Sequence, residues 1–498
     1  MKSKNIVACG HPRVGEAAKE ILAAGGNAFD AAVAAGFASG VAEQALTGLG
    51  GGGFLLARTS EGEEILFDFF VNTPGLGRAA DGLEPHFFPV TVHFPGSDQD
   101  FNVGLGSVAV PGNLKGFLHV QKRLGRLPLK QILAPAIRMA EQGVTINASQ
   151  GYFFGLLKPI MTMTPAGRSL YMPGGRYPAE GDRLTNPEMA LFLRTLARDD
   201  GYDAAPFYQG EPAAAMERDM RHGRGLLTAR DLAAYRVVES RPLSVDYRGY
   251  RLLTNPPPSM GGSLIALGLS IQATWPAGPL TWGTGEQAVR TAAAMVEVDR
   301  RRDAATQFRF ADGSEIAPPE FSRGTSHISV ADSRGNVASL TMSNGEGSGY
   351  IVPGTGIMLN NMMGEEDLHP DGFHACPAGR RVASMMSPAI LLHDDKPFLV
   401  LGSGGSKRIR TAITQVICNV IDYGLELEAA VTAPRIHWDG LVMQMEPGWP
   451  PEAVQALRQR WPVNEWPALD MYFGGVHAVM PEHAGAGDPR RGGSVSEV

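Results

Sequence analysis

Gly324-Thr325-Ser326-His327-Ile328-Ser329-Val330 is the stretch from which the fold of this chain can be read. The alternation from His327 to Val330 predicts a strand, and Ser333-Arg334-Gly335-Asn336 a turn into a second strand over Val337 to Ser343. A polar, loop-like run precedes it, with Asp312, Gly313, Ser314, Glu315, Pro318, Pro319 and Arg323. A small hydroxyl residue therefore follows a glycine where a loop enters a hairpin. That placement suits a chain that cuts itself before Thr325. A new α-amine beside the threonine hydroxyl puts a base and a nucleophile on one residue. Threonine is also simply a good strand former, so the spacing alone leaves the structural reading open.

Outward from this hairpin the pattern is mostly helical before it and mostly strand after it. Gly15 to Val41 carries apolar residues at helical spacing, broken at Gly25-Gly26-Asn27, with a second helix opening near Asp30. Gly48 to Gly53 follows, then a hairpin of Phe54 to Ala57 and Glu64 to Phe69 turning at Glu61-Gly62. Pro85 to Asn102 reads as an irregular excursion. Val108 begins a helical region past Gly143, and Gly155 to Val245 is mostly helical. Arg251 to Asn255 is a strand, with helices from Gly261-Gly262 and over Glu286 to Asp303. Beyond the central hairpin, Gly356 to Asn361 is a short strand. Pro388 to Leu392 and Pro397 to Leu401 pair about Asp394-Asp395. The loop Gly402 to Ser406 opens a helix over Arg408 to Tyr423, and Val476 to Met480 returns to strand. Strands apolar on both sides, such as Phe398 to Leu401, imply sheets covered on both faces. The fold class is α+β, with stacked sheets between helical layers.

Composition narrows the function. The 498 residues carry 44% hydrophobic and 19% charged side chains, an ordinary globular balance. A net charge of -7 without a basic patch speaks against nucleic acid. Three scattered cysteines do not make a disulfide framework. No apolar run is long enough to span a bilayer. With no signal-like start over Met1 to His11, the expected location is cytoplasmic.

Several constellations in the chain could carry chemistry. Gly48, Gly50 and Gly53 fit Gly-x-Gly-x-x-Gly. The dinucleotide motif needs a strand before and a helix after, and here the order is reversed. Close backbone packing explains these glycines better. Gly402 to Ser406 follows a buried strand at a helix start, so Gly404 and Gly405 could aim N–H groups at an oxyanion; a plain tight turn is the alternative. Glu365, Glu366, Asp367, His369 and His374 cluster without a metal-site spacing. They are expected to form a solvated loop or contact a substrate amine, with no metal and no cofactor. No Gly-x-Ser-x-Gly elbow occurs.

Together these motifs resemble the gamma-glutamyltranspeptidases, of the N-terminal-nucleophile hydrolase superfamily, over nearly the whole chain. The resemblance rests on Gly25-Gly26-Asn27-Ala28 with Asp30 to Val33, Gly48 to Phe54, Val110-Pro111-Gly112, and Pro257 to Gly262. It rests further on Thr325-Ser326-His327, Gly335-Asn336, Leu359-Asn360-Asn361, Ser384 to Pro388, Gly402 to Ser406 and Ala433-Pro434-Arg435. It implies a four-layer αββα sandwich made as one precursor and cut between Gly324 and Thr325. Residues 1–324 and 325–498 would be the large and small subunits, staying associated, with a further dimer open. The resemblance makes Thr325 the nucleophile, Ser343 its hydrogen-bonding neighbour, and Gly404 and Gly405 the oxyanion donors. It places Asn344 near a substrate-contacting asparagine, to within about two residues. Ser384 matches a carboxylate-binding serine, and Glu365 or Glu366 stands near the acidic residue holding the substrate amine.

The departures concern the substrate. Phe70 stands where the family has a carboxylate-binding arginine, Met385 replaces a second serine, and Met362 a glutamine. The segment from Glu365 to Ser384 is short for a covering lid. Each replacement removes a polar anchor for an amino-acid head group, leaving a more apolar, open pocket. The expectation is a self-processing amide hydrolase or acyltransferase on a small-molecule amide. The alternatives are a non-glutamyl amidase or acylase, and an unprocessed binding protein.

Overall fold

The computed structural model describes residues 4–78, 83–94, 97–198, 202, 204–276, 281–307, 324–369 and 372–498. The polar run from Asp312 to Arg323 lies outside them. Within them the central hairpin forms as read: Ser326–Ala331 pairs antiparallel with Val337–Ser343, in the register Ser326 opposite Met342 through Ala331 opposite Val337. Asp332 closes the turn by accepting from Arg334 N and Asn336 N, and Gly335 takes φ +92° there.

This hairpin sits inside a seven-stranded antiparallel sheet. Its order is 494–497, 6–9, 326–331, 337–343, 52–58, 64–69, 238–240. A second, six-stranded sheet runs 484–487, 475–480, 396–404, 389–393, 250–254, 243–247. The two sheets pack face to face. Side chains of successive strand residues point to opposite faces, and here each face feeds a different core. Val7, Cys9, Leu55, Ala57, Ile328 and Val330 pack outward against the helices Pro12–Ala23, Ala28–Ala42, Asn113–Leu124 and Leu129–Gln142. Ile6, Ala8, Phe54, Leu56, Ala331 and Val337 pack inward against the second sheet. The helices Met260–Ala273 and Arg408–Ile421 cover that sheet's far side. The result is the four-layer αββα sandwich. Each fully buried side chain of this kind contributes about 1.5–3 kcal/mol.

The helix Ala28–Ala42 is buried on every side, which its run of alanine and glycine allows. A Cβ at Gly36 would lie 2.9 Å from the Phe117 ring. Asn27 caps this helix and forms a capping box with Asp30. The Gly-Gly-Asn break thus ends one helix and starts the next at Ala28.

The glycines before Phe54 are a packing device. Cβ atoms at Gly50, Gly51 and Gly53 would stand 2.3, 1.9 and 2.5 Å from the carbonyl oxygens of Met358, Ser343 and Thr341. Only glycine lets backbones come this close.

Some expectations change. Pro85 to Asn102 contains a hairpin of Phe88–Phe94 and Ser97–Val103. The alternation Phe88, Val90, Val92 is the signal, and Val92, Phe101 and Val103 bury against the helix Ala148–Met161. The stretch Gly155 to Val245 ends in two strands, Val238–Ser240 and Leu243–Tyr247, which extend an edge of each sheet. The strand over Gly356 to Asn361 shrinks to Ile357–Met358.

Asp30 is fully buried and accepts from Asn27 N, Gln121 Nε2, Arg126 N and Leu127 N. Replacing it with alanine strands these donors, each worth about 1–3 kcal/mol. Asp30→Ala is expected to lose about 3 kcal/mol or more in chemical denaturation, with Asp30→Asn losing less.

Candidate active site

Thr325 lies immediately before the central strand, buried at 5% exposure, with the peptide from Gly324 continuous. Its hydroxyl donates to the Gly324 carbonyl oxygen. A second hydroxyl, Ser343 Oγ at the end of the partner strand, donates to the same oxygen at 2.6 Å. Ser343 Oγ is itself held by Gly345 N at 3.0 Å. The hairpin register brings these two hydroxyls together, because residue 325 extends one strand just where residue 343 ends the other. Two donors on one carbonyl oxygen polarise that carbonyl toward attack.

A small pocket opens over this point. Phe70, Met362, Glu365, Ser384 and Met385 line it with Thr325 and Ser343. Seven of the residues singled out from the sequence therefore meet in one place. Leu368, Met386, Ser406 and Ile409 complete the wall. Phe70 stacks on Phe54 with ring centroids 5.5 Å apart. The nearby guanidinium of Arg381 reaches the Phe70 carbonyl and Tyr235 hydroxyl and pairs with Asp68. It does not line the pocket.

Other expected residues stand elsewhere. Asn344 is buried with its amide donating to Met358 O at 3.4 Å, away from the pocket. Two residues on, Glu346 accepts from Gly324 N at 3.4 Å. Glu366 opens a short helical turn and leaves the wall to Glu365. Gly404 ends its strand beneath Thr325: a Cβ there would stand 2.4 Å from Thr325 O. Gly405 holds φ +123°, and half-buried Ser406 brings that loop to the pocket wall. Helical geometry starts at Arg408, so the loop is longer than a direct strand-to-helix turn. Of the acidic and histidine cluster, His369 bonds Glu365 O and His374 bonds Gly106 O. Among the described residues no three His, Cys, Asp or Glu side chains converge as metal ligands.

His327 is part of the frame. It is fully buried between Thr341 Oγ1 and Ser329 Oγ at 2.8 and 3.0 Å, and burial drives its pKa well below the usual value, so it is neutral. A Cβ at Gly402 would meet its ring at 2.3 Å. Ser326 points the opposite way. Its hydroxyl donates to Glu43, which also binds Ser39 Oγ. Arg491 Nη1 donates to Thr325 O at 3.2 Å. Glu43 and Arg491 went unread in the sequence because each lies far along the chain from Thr325 and in no recognisable motif.

The architecture and this site define the class: the chain has the N-terminal-nucleophile hydrolase fold. It belongs to the gamma-glutamyltranspeptidase family, whose model matches residues 15–314 and 286–498. It is 33% identical over 487 residues to the Acylase ACY 1 proenzyme of Pseudomonas sp. (strain SE83), covering 92% of this chain and 87% of the relative. It is 31% identical over 523 residues to the glutathione hydrolase proenzyme of Escherichia coli (strain K12), covering 95% and 88%. A crystal structure of cephalosporin acylase from Bacillus halodurans superposes with a TM-score of 0.82 at 28% identity, covering 99% of this chain and 96% of that one. The chain is thus an enzyme of a hydrolase and acylase family. Among the described residues no helix is long and apolar enough to cross a membrane.

Burial raises the Glu43 pKa from 4.5 to about 7, against the lowering effects of Ser39, Ser326 and Arg491. Between these values the folded state holds more protons than the unfolded chain. This contribution to stability is complete below pH 4.5 and is lost as pH rises through about 7. The span corresponds to roughly 3 kcal/mol. Denaturation of an uncleaved Thr325→Ala chain between pH 4 and 8 is expected to show this fall, and Glu43→Gln to flatten it.

Proposed function

We propose that this enzyme cuts itself between Gly324 and Thr325 and then uses Thr325 as an N-terminal nucleophile on amides. The observation that carries the reading is the convergence of the Thr325 and Ser343 hydroxyls on the Gly324 carbonyl oxygen. In the first step Thr325 Oγ attacks the Gly324 carbonyl carbon, and Ser343 steadies the oxyanion. The C–N bond breaks, the hydroxyl proton passes to the leaving nitrogen, and an ester joins Gly324 to Thr325 Oγ. Water hydrolyses that ester, leaving a carboxylate on Gly324 and a free α-amine on Thr325. The amine then serves as base to its own hydroxyl. Attack on an amide substrate gives an acyl-enzyme and releases the amine. Water, or a second amine, takes the acyl group.

The two pieces, 1–324 and 325–498, stay together in this reading. The strand Ser326–Ala331 pairs with Ile6–Cys9 on one side, and Val337–Ser343 pairs with Gly52–Arg58. Separating the pieces would open the middle of a buried sheet.

The acyl group is apolar near the scissile bond. Phe70, Met362 and Met385 form the wall, no guanidinium lines the pocket, and Glu365 is the charged side chain there among the described residues. A carboxylate beside Glu365 would be repelled. Non-glutamyl acyl amides are therefore favoured over gamma-glutamyl ones, and hydrolysis over transfer.

Intact-mass measurement of freshly purified protein is expected to give two fragments, the second beginning at Thr325. Thr325→Ala should give one. Ser343→Ala should slow cleavage about 100-fold, the usual cost of one oxyanion donor. A single full-length wild-type chain would overturn the mechanism. Efficient, selective turnover of gamma-glutamyl-p-nitroanilide would overturn the substrate reading alone.

A further inference from the structure

The pocket over Thr325 adjoins a much larger cavity of about 630 Å³. Leu368 lines both, and the segment 382–386 runs along both: Val382 and Ala383 face the cavity, Ser384, Met385 and Met386 the pocket. A cavity of this volume holds a drug-sized ligand. Met260, Leu264, Leu267, Leu368 and Val382 give it apolar walls.

Its charge has one sign. Arg301, Arg302, Arg380 and Arg381 line it, and among the described residues no aspartate or glutamate does. Three of the four are committed. Arg301 pairs with Glu297, Arg302 with Asp299 and Arg381 with Asp68, at 2.6, 3.2 and 3.3 Å. Arg380 is exposed and has no carboxylate partner among the described residues. Its guanidinium is always charged and presents a fork that fits a carboxylate. His369, also in the wall, has its pKa lowered by burial and adds no charge at neutral pH.

We propose that this cavity is a distal acyl subsite, taking amides whose acyl group is a long apolar chain that ends in a carboxylate held by Arg380. The proposal rests on Thr325 as the acyl acceptor. Chain length follows from the charges. A short dicarboxylic acyl group leaves its carboxylate beside Glu365, where it is repelled. A longer one carries it past Leu368 to Arg380, with methylenes along the apolar wall.

The test uses the cleaved enzyme and p-nitroanilides of glutaric acid, of suberic acid and of suberic acid monomethyl ester. The suberyl compound is expected to exceed the glutaryl one in kcat/KM by about ten-fold, on the apolar contact of three further methylenes. Arg380→Ala should cost the suberyl acid about two- to five-fold, as for an exposed ion pair, and leave the methyl ester unchanged. Equal rates for suberyl and glutaryl, or the same loss for acid and ester, would overturn the proposal.

A second readout needs no turnover. Cys376 lines the cavity, whereas Cys9 and Cys418 are buried. Suberic acid monoamide should slow its alkylation by N-ethylmaleimide, suberic acid diamide should not, and Arg380→Ala should abolish the protection. Protection without turnover of any anilide would sink the nucleophile reading and spare the subsite. Turnover of short-acyl anilides with no chain-length dependence and no protection would sink the subsite alone.

Discussion

The Gly324 carbonyl oxygen, held at once by the hydroxyls of Thr325 and Ser343, is the point on which the rest of this structure depends. Two side-chain donors can meet one buried oxygen only if their strands are held in register. That register is imposed from the neighbouring strand. Gly51 and Gly53 place their α-carbons so close to Ser343 O and Thr341 O that any side chain would push the strand away. From beneath, Gly404 lets the second sheet touch Thr325 O, and Arg491 fixes the same carbonyl. The site is built mainly from backbone proximity, so its framing parts are glycines and small hydroxyls.

Two cores make this placement rigid. The strands flanking Thr325 are buried on both faces, one face against helices and the other against a second sheet. The cost of such burial is that every polar group between the sheets needs a partner. Ser329 donates to His477 O, Ser339 to Leu401 O, and neutral His327 bridges Thr341 and Ser329. The two serine bonds tie the sheets together at the level of the site, and His327 braces two neighbouring strands of the first sheet. The histidine two residues after Thr325 therefore serves the frame, and its low pKa is a consequence of burial.

The pocket wall is built separately from the frame beneath it. Phe70 buries against Phe54, and the guanidinium of Arg381 is spent on Asp68, Tyr235 and backbone carbonyls. Arg381 thus stands behind the wall, apart from the strands that lead to Thr325 and Ser343. Frame and wall are separate elements: the frame is sheet, while Met362, Glu365, Ser384 and Met385 come from loops and short turns. Loops can change residue by residue because they lie outside the ladder hydrogen bonds.

Local pattern determined the elements that local physics controls. The central hairpin was legible because its alternation and its Gly335-Asn336 turn are set by neighbours in the chain. Asn27 and Asp30 announced a helix start for the same reason, and Thr325, Ser343, Phe70, Met362, Glu365, Ser384 and Met385 fell within motifs. The hairpin of Phe88–Phe94 and Ser97–Val103 escaped, because proline and histidine masked an alternation that pays off only against the helix Ala148–Met161. Asn344 lies off the pocket beside a tight turn at Gly345 with φ +61°, and Glu346 accepts from Gly324 N, contacts that only the packed loop decides. Glu43 meets Ser326 across 283 residues of sequence, and Arg491 meets Thr325 across 166. Which buried carboxylate faces which hydroxyl, and which arginine is left unpaired, is decided only when the four layers close. Burial and charge pairing are properties of the packed chain, whereas periodicity and turn chemistry belong to the chain itself.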